Sequence, residues 1–475
     1  MPALSCHATP YAGSWYPGDP ARLEALLEDL RVKSERRTGA NLLADALAFV
    51  VPHAGIAYSG RVASAVYRHV ARQQPRRVII LGFSHRGGPP GVWVPDIAAY
   101  RTPLGETPVD RESARELVEA GVAHEVGEDR VCDHSVEIQL PFLQRAAPDA
   151  VVLPLYVASL RPDERETVAS ALADLLTPGT VALASSDFTH YGDAFGYRPF
   201  PVDKRTPGRL RALDEEFIDA AASLDAGLLV STLRSASATV CGREPVALLL
   251  STLAALPSGD DVFQVTLDYE TSGDISGDYA HCVSYAALGY FPWSSFALGP
   301  EDQQLLIDSA RETLLHYQTH GVSRPIPPRR RTPGVERQTG AFVSLHKGGD
   351  LRGCVGRCAA TAPLAEVIPE MTLAAGLQDT RFAPLRPDET DIDIEISVLS
   401  PMKPLPDRSR FRVGIDGGYL KVDGHAGLLL PQVAENRDWT RDQFLSALAR
   451  KTGVPGSAYD EPGARLYVFR AQIIR

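Results

Sequence analysis

The sequence predicts two successive domains, an α/β domain over residues 1–297 and a smaller α+β domain over residues 298–475. Three observations predict it. In the first stretch short apolar runs alternate with longer amphipathic segments, the signature of strands interleaved with helices in a layered structure. A Pro/Gly-containing break, PWSSFALGPED, follows Phe291. Beyond it, closely spaced strand-like runs outnumber helical ones, as in antiparallel pairing.

In the first domain the expected strands are ALAFVV (46–51), RRVIIL (76–81), AVVLPLYV (150–157), TVALAS (180–185), VFQVTL (262–267) and HCVSYAALGYF (281–291). Helices are expected between them at PARLEALLEDLRV, GRVASAVYRHVARQ, RESARELVEAG, RETVASALADLL and REPVALLLSTLAAL. After the break, Leu306, Ala310, Leu314 and Tyr317 recur at helical spacing. SRPIPPRRRTPG reads as an extended connection whose Arg329–Arg331 run is a solvated linker face rather than an anion handle. The remainder holds strands AFVSLHK, DIDIEISVLS, FRVGID, YLKVDG, AGLLLP and RLYVFRAQII, with helices over 364–376 and 439–452.

Composition narrows the function classes. A chain of 475 residues exceeds one core, at roughly 150 residues per domain. With 44% hydrophobic and 23% charged residues it is an ordinary globular protein. The formal charge of -11 argues against a broad nucleic-acid surface. No basic n-region and apolar h-region open the chain, and no run approaches the ~18 apolar residues of a membrane span, so a cytoplasmic location is expected. The six cysteines (Cys6, Cys132, Cys241, Cys282, Cys354 and Cys358) are too few for a disulfide scaffold and are expected as thiols.

Chemistry concentrates where expected strands end, which is where open α/β sheets place their ligands. His53 follows ALAFVV in VVPHAGIAYSG, and His85 follows RRVIIL in LGFSHRGG. Asp187 and His190 follow TVALAS in ASSDFTHYG. Cys241, in TVCGREPVALLL, precedes a helix expected to start around Glu244–Pro245. Backbone N–H groups there would favour a thiolate. Two imidazoles and one thiolate leave a coordination position open, the stoichiometry of a catalytic rather than a structural site. Taken singly each has a bland reading: a loop histidine, a buried thiol, a capping aspartate. VCDHSVEIQLPFL adds Asp133, His134 and Glu137: either His134 is a base or substrate contact, or Asp133 simply starts a helix whose first turn holds Glu137, complementing the dipole.

The ordered segments YAGSWYPGD, VPHAGIAYSG, LGFSHRG, YRTPLG, DHSVEIQLPFL, SSDFTHYG and TVCGREPV resemble the Memo family over residues 8–291. That resemblance implies a layered fold similar to class III, non-haem-iron extradiol dioxygenases. It also implies a metal held by His53, His85 and Cys241, with Asp187 and His190 bordering the cleft. Phe83 stands where a proline commonly precedes the Ser-His pair, and THY stands where the family often shows CHW. A thiolate in place of the dioxygenase carboxylate shifts preference away from O₂-activating iron and toward Cu(I) or Zn, so the fold alone does not assign dioxygenase activity.

In the second domain, GDLRGCVGRC (349–358) puts Arg352 and Cys354 on one face of an extended segment, with glycines permitting a bulge or close backbone approach. Either the guanidinium assists the thiol, or a Gly-rich turn carries a buried cysteine and a surface arginine. No Cys/His pair completes a zinc site with Cys354 and Cys358. With AFVSLHK, LQDTRFAPL, DIDIEISVLS and GLLLPQVAENRDWTRDQFL, the segment resembles the AMMECR family over about residues 300–475. Arg352, Cys354, Asp379, Arg381 and Phe382 are then candidates for one pocket.

The fusion resembles the AmmeMemoRadiSam grouping, which implies a radical-SAM protein as partner. The chain has no CxxxCxxC motif and is not that component. The expected function is a metal-dependent redox enzyme or enzyme component acting on a small or peptide-borne substrate. One transition-metal ion would serve, iron first, copper or zinc otherwise, with His190, oriented by Asp187, and His134 as catalytic groups. The alternative is a non-catalytic adaptor that binds a peptide or protein in the cleft.

Overall fold

A computed structural model describes residues 5–359, 362–434 and 437–475. The chain divides into two compact units, Met1–Ser295 and Phe296–Arg475. No helix among the described residues is long and apolar enough to cross a membrane.

The first unit is built on a nine-stranded mixed sheet whose centre is parallel. Ala48–Val51 pairs with Thr180–Ser185, that strand with Arg77–Gly82, and Arg77–Gly82 with Val151–Val157, all in parallel. These strands are buried almost throughout, which is why they read as unbroken apolar runs rather than alternating ones. Period two still sorts their side chains. Ala48, Val50, Ile79, Leu81, Ala182 and Ala184 share a core with Ala247, Leu248 and Leu250 of the helix Arg243–Ala255. Phe49 turns the other way, onto His69 of the helix Ile56–Gln73.

Antiparallel strands Val262–Thr271 and His281–Pro292 extend one side of this sheet, the latter pairing with Ala48–Val51. On the other side the sheet ends in the short strands Val92–Pro95 and His124–Val126. A separate three-stranded sheet joins Ser5–Ala8, Ile97–Thr102 and Gly105–Pro108. Helices Thr206–Ala222 and Ala226–Ser235 lie in a stretch for which the sequence reading assigns none. Leu210, Phe217, Leu229 and Leu233 bury their inner faces.

The second unit carries two four-stranded antiparallel sheets. Ala341–Lys347 pairs on one side with Asp350–Arg357 and on the other with Asp393–Leu399, the last pairing with Ala471–Ile474. In the other sheet Arg465–Phe469 lies between Lys403–Pro404 and Gly417–Val422, which pairs with His425–Leu429. Helices span Pro300–His320, Leu364–Leu377 and Arg441–Thr452.

Two expected strands are corrected. FRVGID forms a turn: Gly414 has φ 78°, and the Asp416 carboxylate accepts the Arg412 N–H at 2.7 Å. RLYVFRAQII is two strands in different sheets, separated at Arg470. The backbone N–H of Arg470 donates to Ser400 Oγ at 2.9 Å and its guanidinium reaches Asp416 at 2.8 Å, so this residue serves tertiary contacts instead of a continuous ladder. Glu435 and Asn436 of the GLLLPQVAENRDWTRDQFL segment lie outside the described residues. The exposed Arg329, Arg330 and Arg331 pair with Glu312, Glu301 and Glu336, as a solvated face does.

Candidate metal centre

Because Ala48–Val51, Thr180–Ser185 and Arg77–Gly82 are adjacent and parallel, the residues following each emerge at the same end of the sheet. That places His53, Asp187 and His85 together. Cys241 arrives from the turn before Arg243–Ala255, whose N-cap is Gly242. Gly242 packs so closely that a Cβ would stand 2.4 Å from Ser185 O and Ser186 Cβ. Its N–H donates to Ser186 Oγ at 3.0 Å, pinning the turn.

His53 is the hub, only 1% exposed. Its Nε2 lies 3.2 Å from Cys241 Sγ, and its Nδ1 lies 3.0 Å from Ser185 Oγ. With Nδ1–H donated to that hydroxyl, Nε2 presents a lone pair. The Ser185 hydroxyl is itself held by Gln139 Nε2 at 3.2 Å.

Two candidate ligand groups overlap on His53. His53, His85 and His134 each offer a ligand atom within 4.8 Å of the others, and so do His53, Asp187 and Cys241. His85 and Cys241 therefore fall in different groups, bridged by His53. His134, read from sequence as a base or substrate contact, stacks on His85 with ring centroids 4.0 Å apart. Tyr11 Oη accepts its backbone N–H at 3.2 Å, and Trp15 lies against its ring at 4.4 Å.

Asp133 starts the helical turn His134–Glu137, as the sequence allows, its carboxylate accepting the Ser135 N–H at 3.0 Å, and it also organises the His85 side. Its Oδ1 lies 2.9 Å from His85 Nδ1, and its Oδ2 accepts the His85 backbone N–H at 3.0 Å. This carboxylate–imidazole pair leaves Nε2 of His85 as the free ligand atom. Although burial opposes it, contacts with His85, His134 and the Ser135 N–H hold the Asp133 carboxyl down at about 2. The signal was present in DHSVE, but its partner lies 48 residues away.

Asp187 does not orient His190 by a hydrogen bond. Its Oδ1 accepts the backbone N–H of His53 at 2.8 Å and of Ala54 at 3.3 Å, fixing the loop that carries His53. His190 Nδ1 instead faces the carbonyl oxygens of Thr239 (2.9 Å) and Phe188 (3.1 Å), which leaves Nε2 as its acceptor.

Burial sets the protonation states. It pushes His53 far below its ordinary value, with His134 and His85 adding repulsion, and brings His134 to about 4. Both imidazoles are neutral at neutral pH and can donate lone pairs. The expectation of an activated free thiolate is corrected. Burial, reinforced by Asp187, raises the Cys241 thiol despite the N–H groups of Asp187 and Gly242. A bound cation would supply the compensation that the helix start does not, since a coordinated thiol loses its proton. Two or three imidazole nitrogens, a sulfur and a carboxylate gathered around the buried His53, with His85 open to solvent, suit a borderline transition metal.

In the second unit, Asp379 Oδ2 accepts the Cys354 N–H at 2.8 Å, and Arg381 bridges Asp379 Oδ2 (2.7 Å) and Cys354 O (3.3 Å). The Arg381 guanidinium lies 5.5 Å from the Phe382 ring centre. Arg352 turns elsewhere: its guanidinium is bidentate with Glu389, at 2.9 and 3.1 Å, and reaches Ala383 O. The suggested guanidinium–thiol pairing is therefore corrected, because the ladder shifts register between Gly353 and Leu351 and Arg352 is the extra residue. Gly353 meets helix Leu364–Leu377 so closely that a Cβ would stand 2.0 Å from Ala375 O.

The family described as Memo-like protein matches residues 8–289, and the family described as AMMECR1 matches residues 307–474. A MEMO1 family protein of Methanopyrus kandleri is 32% identical over 293 residues, covering 58% of this chain and 96% of its own. One from Sulfolobus acidocaldarius is 34% identical over 292 residues, covering 59% and 97%. A protein of Methanothermobacter thermautotrophicus is 42% identical over 149 residues, covering 30% of this chain and 78% of its own. The crystal structure of an uncharacterized protein from Pyrococcus horikoshii is 28% identical, with a TM-score of 0.36, over 37% of this chain and 92% of that one.

Proposed function

Since the chain belongs to the Memo-like family and carries an AMMECR1 domain fused behind it, we propose that it is a mononuclear metal-dependent redox enzyme, or a component of one. Its substrate is small or peptide-borne. The observation that carries this reading is the overlap of two ligand groups on the buried His53. We read the layered sheet as extradiol-dioxygenase-like and the protein as cytoplasmic.

His53, His85 and Cys241 hold one ion, iron first and copper or zinc otherwise, with His134 and Asp187 as further donors beside it. Such an ion supplies Lewis acidity and, for iron or copper, electron transfer. The chain's own groups do the rest. Asp133 and Ser185 fix which nitrogen of His85 and His53 faces inward. His190, its Nδ1 tied to backbone carbonyls, takes a substrate proton at Nε2. Tyr11, Trp15 and Phe83 form an aromatic wall around the imidazoles, limiting water where charge develops. The AMMECR1 domain is a substrate- or partner-binding module, and a radical-SAM protein is the partner.

Elemental analysis of anaerobically purified protein, with O₂ consumption, tests this in wild type and Cys241→Ser. About one equivalent more metal in wild type than in Cys241→Ser, lost together with O₂ uptake, is expected. Equal, metal-free preparations would favour a non-catalytic adaptor.

A further inference from the structure

A second cluster of ligand-type side chains lies outside the centre described above. His7, Cys132 and Glu137 each place one ligand atom within 4.8 Å of the other two. They come from three parts of the chain: the strand Ser5–Ala8, the residue after the short helix Glu128–Val131, and the end of the helical turn His134–Glu137. Parallel pairing sets His7 opposite Tyr100, whose ring meets the imidazole edge-on at 5.6 Å.

Glu137 is the informative residue. Its side chain is 1% exposed; Oε1 lies 3.2 Å from His7 Nε2, and Oε2 has no hydrogen-bond partner among the described residues. An interior carboxylate oxygen left unpaired is costly unless something positive meets it. Cys132, 3% exposed, has the hydroxyls of Tyr100 and Tyr156 beside its sulfur, Tyr100 Oη at 3.6 Å, and these two hydroxyls are also shared with each other at 3.1 Å. The other imidazole nitrogen, His7 Nδ1, lies 2.7 Å from Glu128 Oε2. That is the outer carboxylate arrangement that orients a metal-binding histidine.

We propose that His7 Nε2, Cys132 Sγ and Glu137 Oε2 form a second cation site, for a divalent ion of the zinc class. A dication balances one thiolate and one carboxylate, so the occupied interior carries no net charge from those three partners. Nitrogen, sulfur and oxygen donors together exclude magnesium and calcium and suit zinc, cobalt or ferrous iron. Burial brings the free thiol up to about 12, so it keeps its proton until the ion enters. Binding forms the metal–sulfur bond and releases that proton to solvent, with a second proton leaving when His7 starts charged. The titratable groups facing His7 are Glu137, Glu128, Cys132 and Tyr100, and its value is raised by the two carboxylates against its own burial. Occupancy accordingly falls as pH falls.

The test uses Co²⁺ with the full chain carrying Cys241→Ser, which removes the thiolate of the first centre. A thiolate-to-cobalt charge-transfer band is expected. Adding Cys132→Ser abolishes it, adding Glu128→Gln weakens binding about 10–100-fold, and adding His7→Asn weakens it at least as much. No such band in Cys241→Ser, or a band indifferent to Cys132→Ser and His7→Asn, overturns the proposal. Should Cys132→Ser not fold, as judged by circular dichroism, the half-buried His7→Asn decides alone. Metal loss at the first centre leaves this result unaffected, so the two readings fail separately.

Discussion

Asp133→Asn tests how the centre is held without touching a proposed ligand. Both carboxylate oxygens work: Oδ1 takes His85 Nδ1–H and the Ser135 N–H, at 2.9 and 3.0 Å, while Oδ2 takes the His85 backbone N–H at 3.0 Å. An amide keeps one acceptor and turns an NH₂ toward an N–H in either flip, leaving a buried donor unsatisfied at about 1–3 kcal/mol. The carboxyl sits at about 2 against an ordinary 3.8, so the site favours the charged form by on the order of 2 kcal/mol. Only the part of this that fixes the His85 ring reaches the metal, so affinity should fall about 10–100-fold, or about 1.4–2.7 kcal/mol. Competition against a chromophoric chelator for Fe²⁺ or Co²⁺ at neutral pH measures it. Wild-type affinity in a normally folded Asp133→Asn protein would refute the assignment of His85 as an oriented ligand.

Three other outcomes are expected. Gly242→Ala drives a Cβ to within 2.4 Å of Ser185 O and Ser186 Cβ, displacing the Cys241 turn, so the same chelator competition should show at least about tenfold weaker binding. Gly353→Ala meets Ala375 O at 2.0 Å, a backbone atom that cannot rotate away. It should destabilise the second unit by about 3 kcal/mol, read as a lower calorimetric transition; an unchanged transition contradicts the close approach. Arg352 holds the Glu389 carboxyl at about 2, below its ordinary 4.5. That folded value is depressed, so the stabilisation is present above pH about 4.5 and is lost as pH falls toward about 2. Denaturant unfolding at pH 5 and pH 3 should show a smaller acid loss in Glu389→Gln than in wild type.

What could be read from the sequence follows from range of interaction. The parallel strands were legible because burial on both faces makes each an unbroken apolar run, and residues following parallel neighbours must share one end. Long-range polar partnerships were not. Nothing local marks Asp133 as the partner of His85, or turns Asp187 toward the His53 N–H rather than His190. Cys241 misled for an energetic reason: a helix start lowers a thiol pKa, but desolvation of the sulfur outweighs it. FRVGID alternates like a strand, yet Gly414 and Asp416 close it into a turn. Arg352 and Cys354 looked like same-face neighbours, until one extra residue in the ladder separated their roles.

The break at Arg470 bears on how the second unit is made during synthesis. Arg465–Phe469 is an inner strand of one sheet and Ala471–Ile474 an edge strand of the other, so ten consecutive residues close one ladder begun at Lys403 and another begun at Ala341. Until this stretch clears the ribosome, the inner-strand position is vacant in one sheet and the Asp393–Leu399 flank is bare in the other. Folding of that unit is therefore a late, long-range event. A nascent chain stalled before residue 465 exposes two unpaired strand flanks to whatever chaperone or neighbouring chain is nearby.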